Sequence, residues 1–214
     1  MEETLILLPG WMGTKQIYKK LIESAPVNCQ VVFINYKDIM PGGNLEQFSS
    51  GLKEFINRKN LSNISLVGHS LGGAFAIKFA ADHPNLIKKL YLVDAEGIRG
   101  SEGFFQAFWK TLPRSKNGFL RMLRNLPYLF KHIILNFRLG VFAYTAHLQD
   151  EISRIKVSTT IMWGSKDYIT PLWQGQKLHQ MISGSKFIIV QDVTHHWIFF
   201  NPEKFWENFR IDKH

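Results

Sequence analysis

The stretch ISLVGHSLGG, residues 64–73, decides the reading of this chain. An apolar run rich in β-branched residues ends at Gly68, a serine follows at position 70, and glycines at 72 and 73 open a small-residue helical pattern. A strand that turns this abruptly into a helix strains the backbone at the turn, and the residues two before and two after the tip must be small for strand and helix to approach. Gly68 and Gly72 meet that need, which makes Ser70 the exposed tip of a nucleophile elbow. A hydroxyl is a weak nucleophile at its own pKa. The reading therefore requires a histidine base, an acid to orient it and N–H donors for an oxyanion.

Working outward, short apolar runs alternate with helical patterns. TLILLPG (4–10), QVVFINY (30–36), NISLVG (63–68), KKLYLVD (88–94), STTIMWG (158–164) and KFIIV (186–190) read as six strands buried on both faces. Residues 45–59 place Leu45, Phe48, Leu52, Phe55 and Ile56 at helical spacing, residues 71–83 form the helix after the elbow, and Pro171 opens another helix reaching toward Ile182. Such alternation predicts an α/β fold: a three-layer α/β/α sandwich around a mostly parallel six-stranded sheet with right-handed crossovers. One segment breaks the rhythm. Between Gly97 and Lys156 the residues are too many for one crossover helix and too apolar for a linker. Residues 101–112, 119–137 and 142–155 look like amphipathic helices punctuated by Pro113, Gly118, Pro127 and Gly140. They predict a helical lid insertion at about 98–152 within a single domain spanning 1–214, packed over the C-terminal edge of the sheet.

Bulk properties bound the answer. The chain has 214 residues, 45% of them hydrophobic and 20% charged, as expected of one globular domain that buries roughly 70% of its unfolded surface. MEETLILLPG carries acids where a signal peptide carries bases, and its apolar run is short. It reads as a first strand, and the expected location is cytoplasmic. Cys29 is the single cysteine, which excludes an internal disulfide and agrees with a reducing compartment. The net charge of +9 is uneven: eight bases against two acids between Arg99 and Asp150 account for +6 of it. A solvated set of helix faces would explain this; the sharper readings are an anionic substrate, an anionic carrier or an anionic membrane surface. No recognition motif for nucleic acid accompanies the charge. His83, His132, His147 and His179 lack metal-ligand spacing, and PGGN at 41–44 lacks the lysine and serine of a phosphate loop and reads as a turn. No cofactor and no metal are expected.

In open α/β sheets the chemistry lies beyond the carboxyl ends of the strands. Asp167 follows the strand run TTIMWG, and His195 and His196 follow the last one. The chain order Ser70, Asp167, His195 suits a triad on such a sheet, and Trp11, after the first strand, places its N–H to join that of Leu71 in an oxyanion hole.

Four motifs carry a family resemblance over nearly the whole chain: LLPGW at 7–11, GHSLGG at 68–73, WGSKDYITP at 163–171 and THHWIFFNPEKF at 194–205. With them the chain resembles the α/β-hydrolase superfamily, as a small serine hydrolase whose sheet lacks the two leading strands of larger members. The resemblance bears on two choices. Asp192 before it and Pro202 after it point to His195 as the base, whereas the family's frequent Gly-His-Trp triplet points to His196, followed by Trp197; His195 is preferred. Asp167 fits the commoner site of the acid, while Asp94 occupies a place some relatives use. The implied activity is a carboxylesterase or thioesterase acting through an acyl-enzyme on a small-molecule substrate with a hydrophobic acyl group. A C–C bond hydrolase or lyase would use the same residues, and a ligand-binding protein on a hydrolase scaffold would keep them without turnover.

Overall fold

The computed structural model describes residues 3–40, 45–98, 132–145 and 147–211. Six strands, β1 (Glu3–Leu8), β2 (Cys29–Phe33), β3 (Ile64–His69), β4 (Lys89–Val93), β5 (Ser158–Gly164) and β6 (Lys186–Val190), pair side by side in the order β2-β1-β3-β4-β5-β6, every pair parallel. All six are those read from the sequence. β1 and β2 stop short of the predicted carboxyl ends, where Pro9 and the turn at Asn35 take the chain out of the sheet. One expectation is corrected: only the inner strands are buried on both faces. β2 and β6 are the sheet edges, and most of their residues remain partly exposed because nothing pairs beyond them among the described residues.

Helices cover both faces. α1 (Lys19–Glu23), α2 (Tyr36–Ile39), α3 (Phe48–Arg58) and α4 (Leu71–Asp82) lie in the first half of the chain. α5 (Ile133–Thr145) and α6 (Gln149–Ser153) precede β5, and α7 (Leu172–Met181), α8 (Trp197–Phe200) and α9 (Pro202–Ile211) complete the fold. Two apolar clusters result. One joins α3, α4 and α7 to the sheet through Phe48, Leu52, Phe75, Phe79, Trp163 and Leu178. The other joins α1, α8 and α9 to the opposite face through Tyr18, Leu21, Trp197, Phe205 and Phe209. Each such side chain, buried almost completely, contributes about 1.5–3 kcal/mol. Pro202 is the first residue of α9, where its fixed φ suits the start of a helix.

α4 is buried nearly all round, which follows from its small and apolar composition and its place against the sheet. Its close seat depends on two glycines. A Cβ on Gly68 would run into the backbone of Gly72 and the side chain of Ala76, and one on Gly72 would collide with the carbonyls of Leu8 and Pro9.

Most of the expected insertion, residues 99–131, lies outside the described residues, and with it the breaks at Pro113, Gly118 and Pro127 and every base of the basic segment except Arg138; the PGGN turn lies outside them too. α5 and α6 are its described part. Here too the structure differs from the sequence reading: α5 runs straight through Gly140 instead of stopping there. The glycine makes room for the indole of Trp11, whose ring atoms would lie 3.1 Å from a Cβ at that position. No helix among the described residues is long and apolar enough to cross a membrane.

Candidate active site

Ser70 sits between β3 and α4 with φ 54° and ψ −123°, in the left-handed half of backbone space that a non-glycine residue rarely enters. Such strain costs about 1–3 kcal/mol and persists only where the surroundings over-determine it. Here they do. The Ser70 N–H donates to the Val93 carbonyl at 3.0 Å, while the Ser70 carbonyl accepts from Gly73 N–H at 2.8 Å and Glu96 N–H at 2.9 Å. The end of β4, the loop beyond it and the first turn of α4 therefore hold one serine, partly exposed, at the carboxyl end of the sheet.

The loop after β1 lies against this serine: a Cβ on Gly10 would stand 3.1 Å from Ser70 Cβ and 3.3 Å from His69 Nδ1. Trp11 is thus brought beside the elbow, and its indole N–H donates to the carbonyl of Asn136 in α5 at 2.9 Å. Leu71 is the first residue of α4, one of the four positions whose N–H has no acceptor within its own helix and which lie at the positive end of the helix dipole.

Asp167 and His195 meet directly. His195 Nδ1 lies 2.7 Å from Asp167 Oδ2, and both residues are buried. The loop after β5 explains the aim of the carboxylate: Asp167 Oδ1 accepts the N–H groups of Ile169 (2.8 Å) and Thr170 (3.0 Å), and Thr170 Oγ1 donates to Oδ2 at 2.7 Å. The same Thr170 oxygen lies 3.1 Å from His195 Nδ1. Of the two histidines considered for the base, His195 is hydrogen-bonded to Asp167. His196 lies partly exposed at the cap of α8, its ring centred 5.3 Å from that of His195 and 5.6 Å from that of Phe199.

Asp94, the other position considered for the acid, is fully buried and turned to a different task. Its Oδ1 accepts from Gly164 N–H at 2.8 Å and its Oδ2 from the indole N–H of Trp197 at 2.6 Å, so it fastens the end of β4 to β5 and α8. Burial, with the charge of Asp167 close by, pushes its carboxyl well above the ordinary range. Burial acts in the same direction on Asp167, but the imidazole of His195 and the hydrogen bonds from Thr170 and Ile169 outweigh it and hold that carboxyl below the usual value. For His195, burial disfavours the imidazolium; the Asp167 carboxylate, helped by Asp94 and Glu96, overcomes this and raises the ring to about 9.

Asp94, Asp167 and His195 each offer an atom within 4.8 Å of the others, as a metal would require. Those atoms are already engaged, Nδ1 with the Asp167 carboxylate and both Asp94 oxygens with N–H donors, so the cluster works as a hydrogen-bonded set. Three residues of the site escape sequence reasoning: Thr170, which completes the carboxylate; Tyr18, bonded to His69; and Glu96, bonded through its N–H to Ser70, whose carboxyl burial lifts to about 7. A threonine three residues after the acid is a local signal for the first; nothing local marks the other two.

Comparison with known proteins bears on the fold and the family. Residues 3–121 match the family model described as the alpha/beta hydrolase fold. A lipase of Moraxella sp. strain TA144 ("Lipase 3") is 24% identical over 90% of this chain and 71% of its own length. A lipase of Psychrobacter immobilis ("Lipase 1") is 28% identical over 67% of this chain, which spans about half, 54%, of that relative. Among solved structures, a bromoperoxidase from Bacillus anthracis superposes with a TM-score of 0.80 at 16% identity, covering 99% of this chain and 91% of that one, a likeness of fold alone.

Proposed function

The chain belongs to the α/β-hydrolase fold family, and on that premise we propose that it is a serine hydrolase in which Ser70, His195 and Asp167 form the triad. The observations that carry this reading are the 2.7 Å contact between His195 Nδ1 and Asp167 Oδ2, and a serine held at positive φ where β3 turns into α4. With Nδ1 committed to the carboxylate, the proton on that nitrogen is fixed and Nε2 is left to act as base. His195 takes the Ser70 proton, and Ser70 Oγ attacks the substrate carbonyl. The N–H groups of Trp11 and Leu71 receive the oxyanion, and His195 returns the proton to the leaving group. Water, activated by the same imidazole, then releases the acyl group. Asp167 stays ionised throughout and stabilises the imidazolium.

The substrate we assign is a carboxylic ester or thioester with a hydrophobic acyl chain. Support comes from two directions: the two bacterial relatives named as lipases, and the apolar residues Leu139 and Phe142 that α5 packs toward α4 and Trp11. A role of the basic insertion in meeting an anionic carrier or membrane surface, and a cytoplasmic location, rest on sequence alone. Hydrolysis of p-nitrophenyl esters from acetate to laurate tests the proposal. Turnover that rises with chain length in the wild type and vanishes in Ser70→Ala is expected; a folded wild type that hydrolyses none of them contradicts it. A C–C bond hydrolase or lyase would trap no acyl-enzyme in the same assay.

A further inference from the structure

We propose that Tyr18 and His69 are positioning residues, forming a hydrogen-bonded relay that holds the loop bearing Trp11 and the loop bearing His195 in fixed relation to Ser70. This rests on the triad reading above. The relay has three links. Gly10 N–H donates to Tyr18 Oη at 2.9 Å, Tyr18 Oη lies 2.7 Å from His69 Nδ1, and His69 Nε2 lies 3.2 Å from the carbonyl oxygen of His195. One end is the residue before Trp11; the other is the backbone of His195 itself.

The polarity of each link follows from the two backbone groups at the ends. The His195 carbonyl can only accept, so His69 Nε2 carries the proton. Nδ1 of the neutral ring is then an acceptor, and the Tyr18 hydroxyl must donate to it while its lone pair receives Gly10 N–H. Only one tautomer satisfies every atom. Burial holds the His69 ring well below the ordinary imidazole range, and the charge of His195 acts in the same sense, so the neutral form persists. Tyr18 is fully buried and His69 nearly so, and water has no ready way to replace either.

The rings are also wedged in place. Tyr18 packs against Phe33 at 5.7 Å and edge-on to Phe199 at 4.8 Å, and His69 packs edge-on to Phe199 at 5.2 Å and beside His195 at 5.2 Å. The middle of the relay is the residue immediately before Ser70. Nucleophile, oxyanion loop and base loop are thereby referenced to a single pair of side chains. A misplacement of about 1 Å at reacting groups costs about 100-fold in rate, so the relay acts on the chemical step and not on binding.

The test is kcat and KM on a p-nitrophenyl ester, with the rate of Ser70 labelling by a fluorophosphonate as a second readout. The variants are Tyr18→Phe, His69→Gln, His69→Ala, the Tyr18→Phe/His69→Ala double variant and Ser70→Ala. Tyr18→Phe keeps the packed ring and removes the hydroxyl; kcat and labelling rate should fall about 10- to 100-fold with KM within about two-fold of wild type. His69→Gln, which retains a donor toward the His195 carbonyl, should lose less than His69→Ala. Because both residues serve one chain of bonds, the double variant should be no slower than His69→Ala alone. The relay is overturned if Tyr18→Phe retains kcat within about two-fold, if its loss appears only in KM, or if the two losses add. Should Tyr18→Phe fail to unfold cooperatively, the order of His69→Gln and His69→Ala decides: a smaller loss in His69→Gln supports the relay, and equal losses overturn it. Full activity in Ser70→Ala, or a wild type that neither turns over nor labels, would bring down the triad reading itself. Loss in Ser70→Ala beside a normal Tyr18→Phe would remove the relay alone.

Discussion

The floor of the site and the helix lying over it are held in unlike ways. At the floor, the side-chain polar atoms of Asp94, Asp167, Thr170 and His69 all have partners in the folded chain, from residues up to 126 positions apart. Above it, the described contacts of α5 are mainly apolar: Leu139 is buried in the core, Phe142 stacks on Phe75 at 4.9 Å, the bare Cα of Gly140 lies against Trp11, and the Asn136 carbonyl accepts from the Trp11 indole. Ile133, Ile134 and Phe137 are exposed along it, and the buried Asn136 side-chain amide finds no acceptor among the described residues. The contrast separates two tasks. On the proposed function, the floor would transfer protons and needs atoms fixed to fractions of an ångström, and the helix would meet variable acyl chains and needs apolar surface with few directional bonds.

Perturbing the floor should therefore act on kcat, and perturbing α5 on substrate choice. The largest effect belongs to Ser70→Ala, which should lower kcat by at least about 10⁴-fold without lowering the unfolding midpoint, measured by ester turnover and thermal denaturation side by side. Asp167→Asn should follow, at about 10³- to 10⁴-fold, because an amide no longer dictates which imidazole nitrogen carries the proton. pH gives the same floor a third probe. Since the base must be neutral and its pKa is raised to about 9, kcat/KM should climb with pH and level off only above about 9; a plateau already reached near the ordinary histidine value would contradict the coupling to Asp167. The linked stability runs in the opposite direction: the raised His195 value supports the fold below the unfolded histidine pKa and that support is lost as pH rises through about 9.

Phe142→Ala should cost about 1 kcal/mol through the lost stack on Phe75, and should weaken the preference for long over short acyl esters while leaving acetate turnover nearly intact. A matching loss on acetate would mean that α5 is part of the catalytic floor after all. The smallest effect is expected of His196→Ala, within about three-fold in kcat, since its ring is partly exposed and packs on those of His195 and Phe199.

These regions also differ in how far the sequence exposes them. Strands announce themselves through runs of apolar residues, and Gly68, Ser70 and Gly72 state the elbow at close spacing, so the sheet and the serine are legible. Asp167 and His195 are legible as candidates because each follows a strand run. The preference for His195 over His196 and for Asp167 over Asp94 comes from the motifs around them and not from the residues alone, because which side chain a loop aims inward depends on distant partners. Asp94 is drawn away by Gly164 and Trp197, partners 70 and 103 residues distant. Tyr18 stands 51 residues from His69 and carries no local pattern that would mark it. Gly140 reads as a break because a glycine in a helical run has no local reason to be there; the reason is an indole from the first loop, which occupies the space beside it.

The most direct test of the triad is the mass and position of a phosphonate adduct on wild type, Ser70→Ala, His195→Ala and His196→Ala. One adduct, on Ser70, is expected in the wild type and in His196→Ala, with none in Ser70→Ala and only a trace in His195→Ala. An adduct on another residue, or labelling that survives in His195→Ala and disappears in His196→Ala, would contradict the assignment of Ser70 as nucleophile and His195 as its base.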